Sequence, residues 1–442
     1  MPTRIQKEAA GRKNLMINMG PSHPAMHGTI RIMLELDGEK VLNSEVEVGY
    51  LHRGFEKTCE HKSYFSLLPY TDRLNYVSPL INNLGYVMTM EKLLGIEAPE
   101  RAQYIRVIMC ELSRISDHLT ALAAMTMECG AFTVFLYLIK AREEIWNVIE
   151  QTTGARMTTS YIRIGGVRAD LHPDIQPLMD KAVSTTQDVL RDVKGLLDKN
   201  TIWLQRTRDI AVVPPDMAVN YGFTGPCLRA SGVSYDVRKA HPYLVYDRLD
   251  FEVPLGDNGD NYDRYMVRMK EMEQSLRLVE QAMSAIPRSK PRNESEAIDP
   301  HEAISESRNR KPAADILLSP NLEGSEKYRY PDIYADTRNG VLPPKEDTYS
   351  GIEGLITHFK FFMKGHGIRP PKGDVYFSVE GGSGEVGFYI VSDGTDRPYR
   401  LHLRAPCLHI VSALEKMIQG HYIADVIPTF GSTNMIGGEL DR

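Results

Sequence analysis

Histidines, cysteines and carboxylates are the side chains through which this chain could hold a metal or move protons. Thirteen histidines are present, and His23 and His27 stand four apart. They lie in Gly20-Pro21-Ser22-His23-Pro24-Ala25-Met26-His27-Gly28, whose two glycines and two prolines read as a loop rather than a helix. The pair therefore does not form the i, i+4 face of a zinc site, and no third ligand is indicated. The cysteines Cys59, Cys110, Cys129, Cys227 and Cys407 are isolated, with no C-x-x-C pair. That pattern encodes neither a disulfide framework nor a local iron–sulfur motif, and suits reduced thiols. No G-x-S-x-G, Walker loop or dinucleotide fingerprint occurs. The cluster Gly381-Gly382-Ser383-Gly384 sits between two strand-like runs and reads as a hairpin turn.

The elements that must position any chemistry follow from periodicity. Ile30, Ile32, Leu34 and Leu36 alternate with Arg31, Met33 and Glu35 before Asp37-Gly38, and Val41, Val46 and Val48 follow, predicting a small antiparallel hairpin. Apolar residues recur at helical spacing over Pro99 to Gln151, Ile175 to Leu197 and Tyr262 to Met283, which predicts a bundle of long helices whose stripes are core. A helix is expected around Tyr349 to Lys364. Strands are expected over Val375 to Val379, Val386 to Val391 and Tyr399 to Leu403, and Ser289 to Pro312 reads as a polar insertion. The organisation expected is an N-terminal loop and hairpin region over 1–95 and a bundle over 96–285. Connecting loops with the insertion follow over 286–345, then a helix and small sheet over 346–442, all in one unit. The fold class is α+β, a central long-helix bundle flanked by small antiparallel sheets.

The 442 residues are 42% hydrophobic and 25% charged with a net charge of -6, the composition of a packed globular protein. No basic stripe is present, so nucleic acid is not expected as a partner. No apolar run approaches the length of a membrane span, and the start, Met1 to Asn14, has no export-type apolar region.

The run Leu51-His52-Arg53-Gly54-Phe55-Glu56-Lys57-Thr58-Cys59-Glu60-His61-Lys62 resembles the signature of the quinone-site subunit of respiratory complex I, the 49-kilodalton or D subunit. The resemblance extends to the loop Gly20 to Gly28, Asp72-Arg73-Leu74-Asn75-Tyr76, Gly154-Ala155-Arg156-Met157, Tyr161-Ile162-Arg163, Thr224-Gly225-Pro226, Val391-Ser392-Asp393-Gly394-Thr395 and Arg404-Ala405-Pro406. These motifs run in order through almost the whole chain. The family is similar in fold to the large subunit of nickel-iron hydrogenases, whose nickel is held by two C-x-x-C pairs; those pairs are missing here. Hydrogen activation is the activity the sequence argues against most strongly.

The resemblance implies a peripheral-arm subunit of a proton-translocating NADH:quinone oxidoreductase, inactive alone, at the cytoplasmic face of the plasma (inner) membrane. Quinone, ubiquinone or menaquinone, is the implied substrate. The implied partners are a small iron–sulfur subunit carrying the terminal cluster, other peripheral-arm subunits and the membrane arm, with no metal held by this chain. By motif, the quinone headgroup would lie between His27 and Tyr76, two donors suited to a carbonyl that is reduced and protonated. Glu128, where the family usually has aspartate, would pair with that histidine and raise its pKa, and Arg53 would lie beside the partner's cluster.

Departures from the family pattern carry expectations of their own. Many members have histidine after the G-A-R-M motif where this chain has Thr158, which does not titrate near neutrality; the partner's cluster is then expected to have a lower and less pH-dependent potential. The insertion and the ending Gly431 to Arg442 are expected to bear on partner contacts more than on the quinone site. Two alternatives stand beside the leading reading. One is the same role in a complex fed by reduced deazaflavin or ferredoxin, and the other is a non-catalytic scaffold of hydrogenase ancestry.

Overall fold

The computed structural model describes residues 14–26, 28–287, 348–349, 351–362 and 367–442. The expected insertion at Ser289 to Pro312 lies outside them.

The predicted N-terminal hairpin is present as β2 (Arg31–Asp37) and β3 (Lys40–Glu47), joined at Gly38 with φ 63°. It is part of a larger sheet: β1 (Leu15–Met19) pairs antiparallel with β2, Leu15 opposite Leu36. Its five residues, Leu-Met-Ile-Asn-Met, are too short and too uniformly apolar to show a strand's alternation, so periodicity indicates only two of the three strands.

The bundle contains α2 (Pro79–Leu94), α3 (Glu100–Glu128), α4 (Phe132–Thr153), α5 (Ile175–Leu197) and α6 (Asn261–Ala285), preceded by the short α1 (Phe55–Cys59). Glycines end α2 and α4: Gly95 and Gly154 adopt φ 67° and 79°, conformations that cost glycine little. Helix α2 is not among the elements the sequence predicts. It is buried on nearly every side from Pro79 to Glu91, so it shows no apolar stripe, which is the signal periodicity detects. At Gly85 a side chain would come within 3.0 Å of the Phe388 ring. Glycine thus lets α2 lie directly on the C-terminal sheet, β4 (Gly373–Glu380), β5 (Glu385–Ser392) and β6 (Arg400–Arg404).

Helix α3 runs through the centre and carries Arg106, Glu111, Arg114, Asp117 and His118, all buried. Charges there persist only with partners. Glu111 accepts from Arg114 at 3.2 Å, Arg238 at 3.1 Å, Tyr246 at 2.6 Å and Ser275 at 2.7 Å. Although burial opposes ionisation, the two guanidinium groups and these donors hold its carboxyl down to about 2. Glu271 joins His118 at 2.9 Å and Arg229 at 2.7 Å.

Further helices, among them α8 (Pro406–Ser412), α9 (Ile423–Ser432) and α10 (Gly437–Asp441), close the chain after the expected α7 (Ile352–Phe362). They bring its end back to its beginning: Val41 N–H donates to the His421 carbonyl at 2.9 Å, and Gly420 N–H to that of Val41 at 2.8 Å. No helix among the described residues is long and apolar enough to cross a membrane.

Candidate functional site

Tyr76 sits on the loop that enters α2, and the loop is fixed by its neighbour. The Asn75 side-chain oxygen accepts the N–H groups of Val77 and Ser78, each at 3.1 Å, the local turn that asparagine makes readily. Its amide donates to Asp117 of α3 at 3.3 Å, and Ser78 Oγ donates to the same oxygen at 3.2 Å. Tyr76 is half-buried against an apolar cluster that includes Met26, Val77, Cys407, Phe430, Ile436 and Leu440. Burial raises the pKa of its hydroxyl, the Cys407 thiol and the Asp117 carboxylate act in the same direction, and Arg53 opposes them. The phenol therefore keeps its proton until a stronger acceptor arrives.

Arg53 is exposed on the loop before α1 and donates to the Arg73 carbonyl at 2.7 Å. It does not pair with Glu56, which instead faces His402 at 3.0 Å and accepts the Leu403 N–H at 3.0 Å. The loop is clamped to the chain's end. Gly49 and Leu51 donate their N–H groups to the Asp441 carboxylate at 2.9 and 2.7 Å, and those of Arg53 and Phe55 reach the Arg442 carbonyl at 3.3 Å. A side chain at Gly438 would meet the Arg73 carbonyl at 2.5 Å, that of Leu74 at 2.6 Å and the Arg53 guanidinium at 3.1 Å. The ending Gly437 to Arg442 thus forms a wall around Arg53 and the Tyr76 loop, contrary to the expectation that it bears mainly on partner contacts. The reason is a pairing of segments some 390 positions apart, which local sequence does not reveal.

Glu128 ends α3, and Gly130, with φ 84°, turns the chain toward α4. Its carboxyl lies against Gly431 of α9: a Cβ there would stand 2.1 Å from Oε2. Burial pushes the carboxyl up to about 8, and the carbonyl end of a helix works in the same sense. The next residue back on α9, Phe430, belongs to the cluster that packs Tyr76, so one helix end backs both groups.

His27 lies outside the described residues. Of the described residues beside it, Met26 is fully buried in the cluster that packs Tyr76, and Thr29 donates through Oγ1 to the Met26 carbonyl at 3.3 Å. Thr158 stands in the left-handed region at φ 50°, and Ser160 at φ 43°. Ser160 donates through N–H and Oγ to Asp72 at 3.0 and 2.5 Å, tying this loop to the Tyr76 segment. Burial carries the Asp72 carboxyl up to about 6.

Sequence reasoning missed Asp117, Asn434 and Glu439. Asp117 accepts Asn434 Nδ2 at 3.2 Å besides Asn75 and Ser78. Glu439 is buried beneath Cys407, whose N–H reaches its Oε1 at 3.2 Å. The adjacent Gly437-Gly438, where side chains would strike Thr29 and Arg73, were the signal available for a close approach.

These groups define an α+β protein whose candidate site forms where both chain ends meet a central bundle. It presents a phenol and proton-holding carboxyls. Among the described residues no group of three or more His, Cys, Asp or Glu could hold a metal ion.

The family described as the respiratory-chain NADH dehydrogenase 49-kilodalton subunit matches residues 128–442. The chain is 45% identical over 428 residues to a D subunit of NADH-quinone oxidoreductase from Sorangium cellulosum, covering 97% of this chain and 95% of that protein. It is 44% identical to the corresponding D subunit of Myxococcus xanthus, covering 97% and 93%, and 43% identical to that of Pelobacter propionicus, covering 99% and 97%. The chain belongs to the 49-kilodalton, or D, subunit family of the respiratory-chain NADH dehydrogenase, as its motifs led one to expect.

Proposed function

We propose that this chain walls the quinone-reduction chamber of a proton-translocating NADH:quinone oxidoreductase, together with a small iron–sulfur subunit. Its relatives are named as the D subunit of NADH-quinone oxidoreductase. The architecture we assign is that of the nickel-iron hydrogenase large subunit, with the metal chemistry replaced by proton chemistry. The chain works at the cytoplasmic face of the membrane as a peripheral subunit, among other peripheral-arm subunits and against the membrane arm.

The observation that carries this reading is the setting of Tyr76: a neutral phenol on a loop held by Asn75, Asp117 and Ser78. A quinone carbonyl only accepts hydrogen bonds, and its reduction consumes two electrons and two protons. The electrons come from the neighbouring cluster, beside which Arg53 stands. Tyr76 donates to one quinone oxygen, and His27 to the headgroup from the other side. Donors already in place lower the barrier because they need not reorganise as negative charge develops. Glu128, neutral at pH 7 because burial lifts its carboxyl to about 8, does not raise the histidine's pKa as a charged partner would; it passes its proton to His27 as the histidine gives one to the quinone, and becomes the carboxylate. That change is the first step by which reduction is coupled to pumping in the membrane arm.

The test is Tyr76→Phe in the assembled complex, with quinone reduction and artificial-acceptor reduction measured in the same membranes. Loss of a positioned proton donor costs about 10²- to 10⁴-fold, so quinone reduction should collapse while reduction of ferricyanide persists. Unchanged quinone reduction would overturn the assignment in favour of a scaffold.

A further inference from the structure

A second buried carboxyl, beside Cys407 of the cluster that packs Tyr76, has no part in the scheme above. Glu439, on α10, is 1% exposed. Its Oε1 accepts the backbone N–H of Cys407 at 3.2 Å, and its Oε2 is buried with no N–H or O–H donor among the described residues. A buried carboxylate oxygen left bare costs several kcal/mol, roughly, whereas a carboxylic acid removes most of that cost by holding a proton. Leaving one oxygen without a donor is therefore the arrangement of a group that carries a proton there.

The surroundings point the same way. The charged and titratable groups acting on Glu439 are Cys407 of α8, Asp117 of α3 and Arg404 at the end of β6. Asp117, held by Asn75, Ser78 and Asn434, opposes a second negative charge. Arg404, which favours one, is engaged elsewhere by Thr224 Oγ1 at 2.9 Å and the Gly222 carbonyl at 2.8 Å. Burial, with Asp117 acting in the same sense and Cys407 and Arg404 opposing, lifts the Glu439 carboxyl to about 7.

Cys407 links Glu439 to the tyrosine. Its thiol lies 3.7 Å from the Asn434 carbonyl, accepts the Ile436 N–H at 3.5 Å and is buried in the cluster that packs Tyr76. The same thiol acts on both the Tyr76 hydroxyl and the Glu439 carboxyl. Carboxyl and thiol are thus neighbours, and thiol and phenol share one otherwise apolar cluster.

We propose that Glu439 is the proton store that restores Tyr76 after each turnover, acting through the Cys407 thiol. This rests on Tyr76 being the quinone's proton donor. When Tyr76 has given its proton away, the S–H of Cys407 passes a proton to the phenolate oxygen as the sulfur takes the proton from Glu439. The phenol and thiol are then restored, and a carboxylate remains to be reprotonated from water. No electrons move in this step. Glu439 is a positioning and proton-holding residue, and Tyr76 alone of the three meets the quinone.

The experiment uses the assembled complex in membranes carrying Glu439→Gln, Glu439→Asp or Cys407→Ala, with Tyr76→Phe as reference. Glu439→Gln and Cys407→Ala should retain artificial-acceptor reduction and lower quinone reduction at least tenfold. They should also abolish the fall in quinone reduction as pH rises through about 7, where Glu439 loses its proton, and enlarge the solvent isotope effect. Glu439→Asp should recover part of the rate. A merely structural role would lower the rate without moving the pH profile or the isotope effect, and that result overturns the proposal. If Glu439→Gln fails to assemble, infrared difference spectra of the wild-type complex with and without quinone turnover decide. A protonated-carboxyl band that changes with turnover and shifts in Glu439→Asp supports the store, and no such band overturns it. Should Tyr76→Phe keep its quinone reduction, the chamber assignment itself fails; should only the Glu439 variants behave as wild type, the chamber stands and the store falls.

Discussion

Replacing Gly431 by alanine moves Glu128 without touching it, and the geometry sets how far. The added methyl would stand 2.1 Å from Oε2 of Glu128, 3.2 Å from its Cδ and 3.3 Å from the Met125 Cα. A carbon–oxygen contact relaxes at about 3.3 Å, so the carboxylate end must retreat by about 1.2 Å. The obstructing atoms end a side chain with three rotatable bonds, so the fold should lose no more than about 1–3 kcal/mol, the usual cost of overpacking. Function is more sensitive, because misplacing a catalytic group by about 1 Å can cost about 10²-fold. Gly431→Ala should therefore assemble, reduce artificial acceptors normally and lose most of its quinone reduction. Aspartate is shorter by one methylene, about 1.3 Å along the chain given a C–C bond of about 1.5 Å, which is close to the space the methyl takes. The double variant Gly431→Ala, Glu128→Asp should then recover quinone reduction, whereas Glu128→Asp alone, drawn back from its place, should not match the wild type. The assay is NADH-driven quinone reduction set against ferricyanide reduction in the same membranes. Wild-type quinone reduction in Gly431→Ala would refute the claim that the position of Glu128 matters.

Other substitutions test the frame around the site. Arg106 holds Glu91 through contacts at 2.6 and 3.0 Å, and both are buried. Arg106→Ala leaves that carboxylate buried without its counter-ion at a cost of about 3–5 kcal/mol, so the subunit should be missing from membranes by quantitative mass spectrometry; normal levels would contradict this. Glu128 and Glu439 bind protons more tightly in the folded chain, at about 8 and about 7 against an ordinary 4.5. Above pH 4.5 the native state then holds more protons than the unfolded one, and stability falls as pH rises toward 8, by at most about 1.4 kcal/mol per pH unit for each group. Thermal dissociation of the purified complex on native gels should occur at lower temperature at pH 8 than at pH 6, and the double variant Glu128→Gln, Glu439→Gln should flatten that trend. Thr158, at φ 50°, occupies a conformation histidine tolerates better than a β-branched residue. Thr158→His should steepen the pH dependence of the partner cluster's potential toward about 59 mV per pH unit, read by paramagnetic resonance titration.

What could be read from the sequence divides along a physical line. Amphipathic helices such as α5 and α6 were readable because one face meets solvent and the other the core, so their period is written in residue type. Helix α2 was not, since burial on all sides from Pro79 to Glu91 erases the period. The same loss of contrast hid the acidic residues of the site. Tyr76 was found through its motif, but Asp117 lies within a helical stretch whose dominant signal is its apolar stripe, and its carboxylate is satisfied by Asn75, Ser78 and Asn434 from distant parts of the chain.

At the chain's ending the dependence on distant partners is strongest. Asp441 holds the loop at Gly49 and Leu51 from some 390 positions away, and Gly437 and Gly438 are small because Thr29 and Arg73 occupy the space a side chain would need. Both facts depend on where two distant segments meet, and a one-dimensional pattern records only that a glycine pair is present. Glu439 follows those glycines because they allow α10 to enter deeply enough for its carboxyl to sit under Cys407. A larger residue at position 438 would push α10 away from the Arg73 and Leu74 carbonyls, and with it Glu439 from the thiol that leads to Tyr76. The two glycines thus fix the depth of the helix, and the depth fixes whether the buried carboxyl can serve the tyrosine.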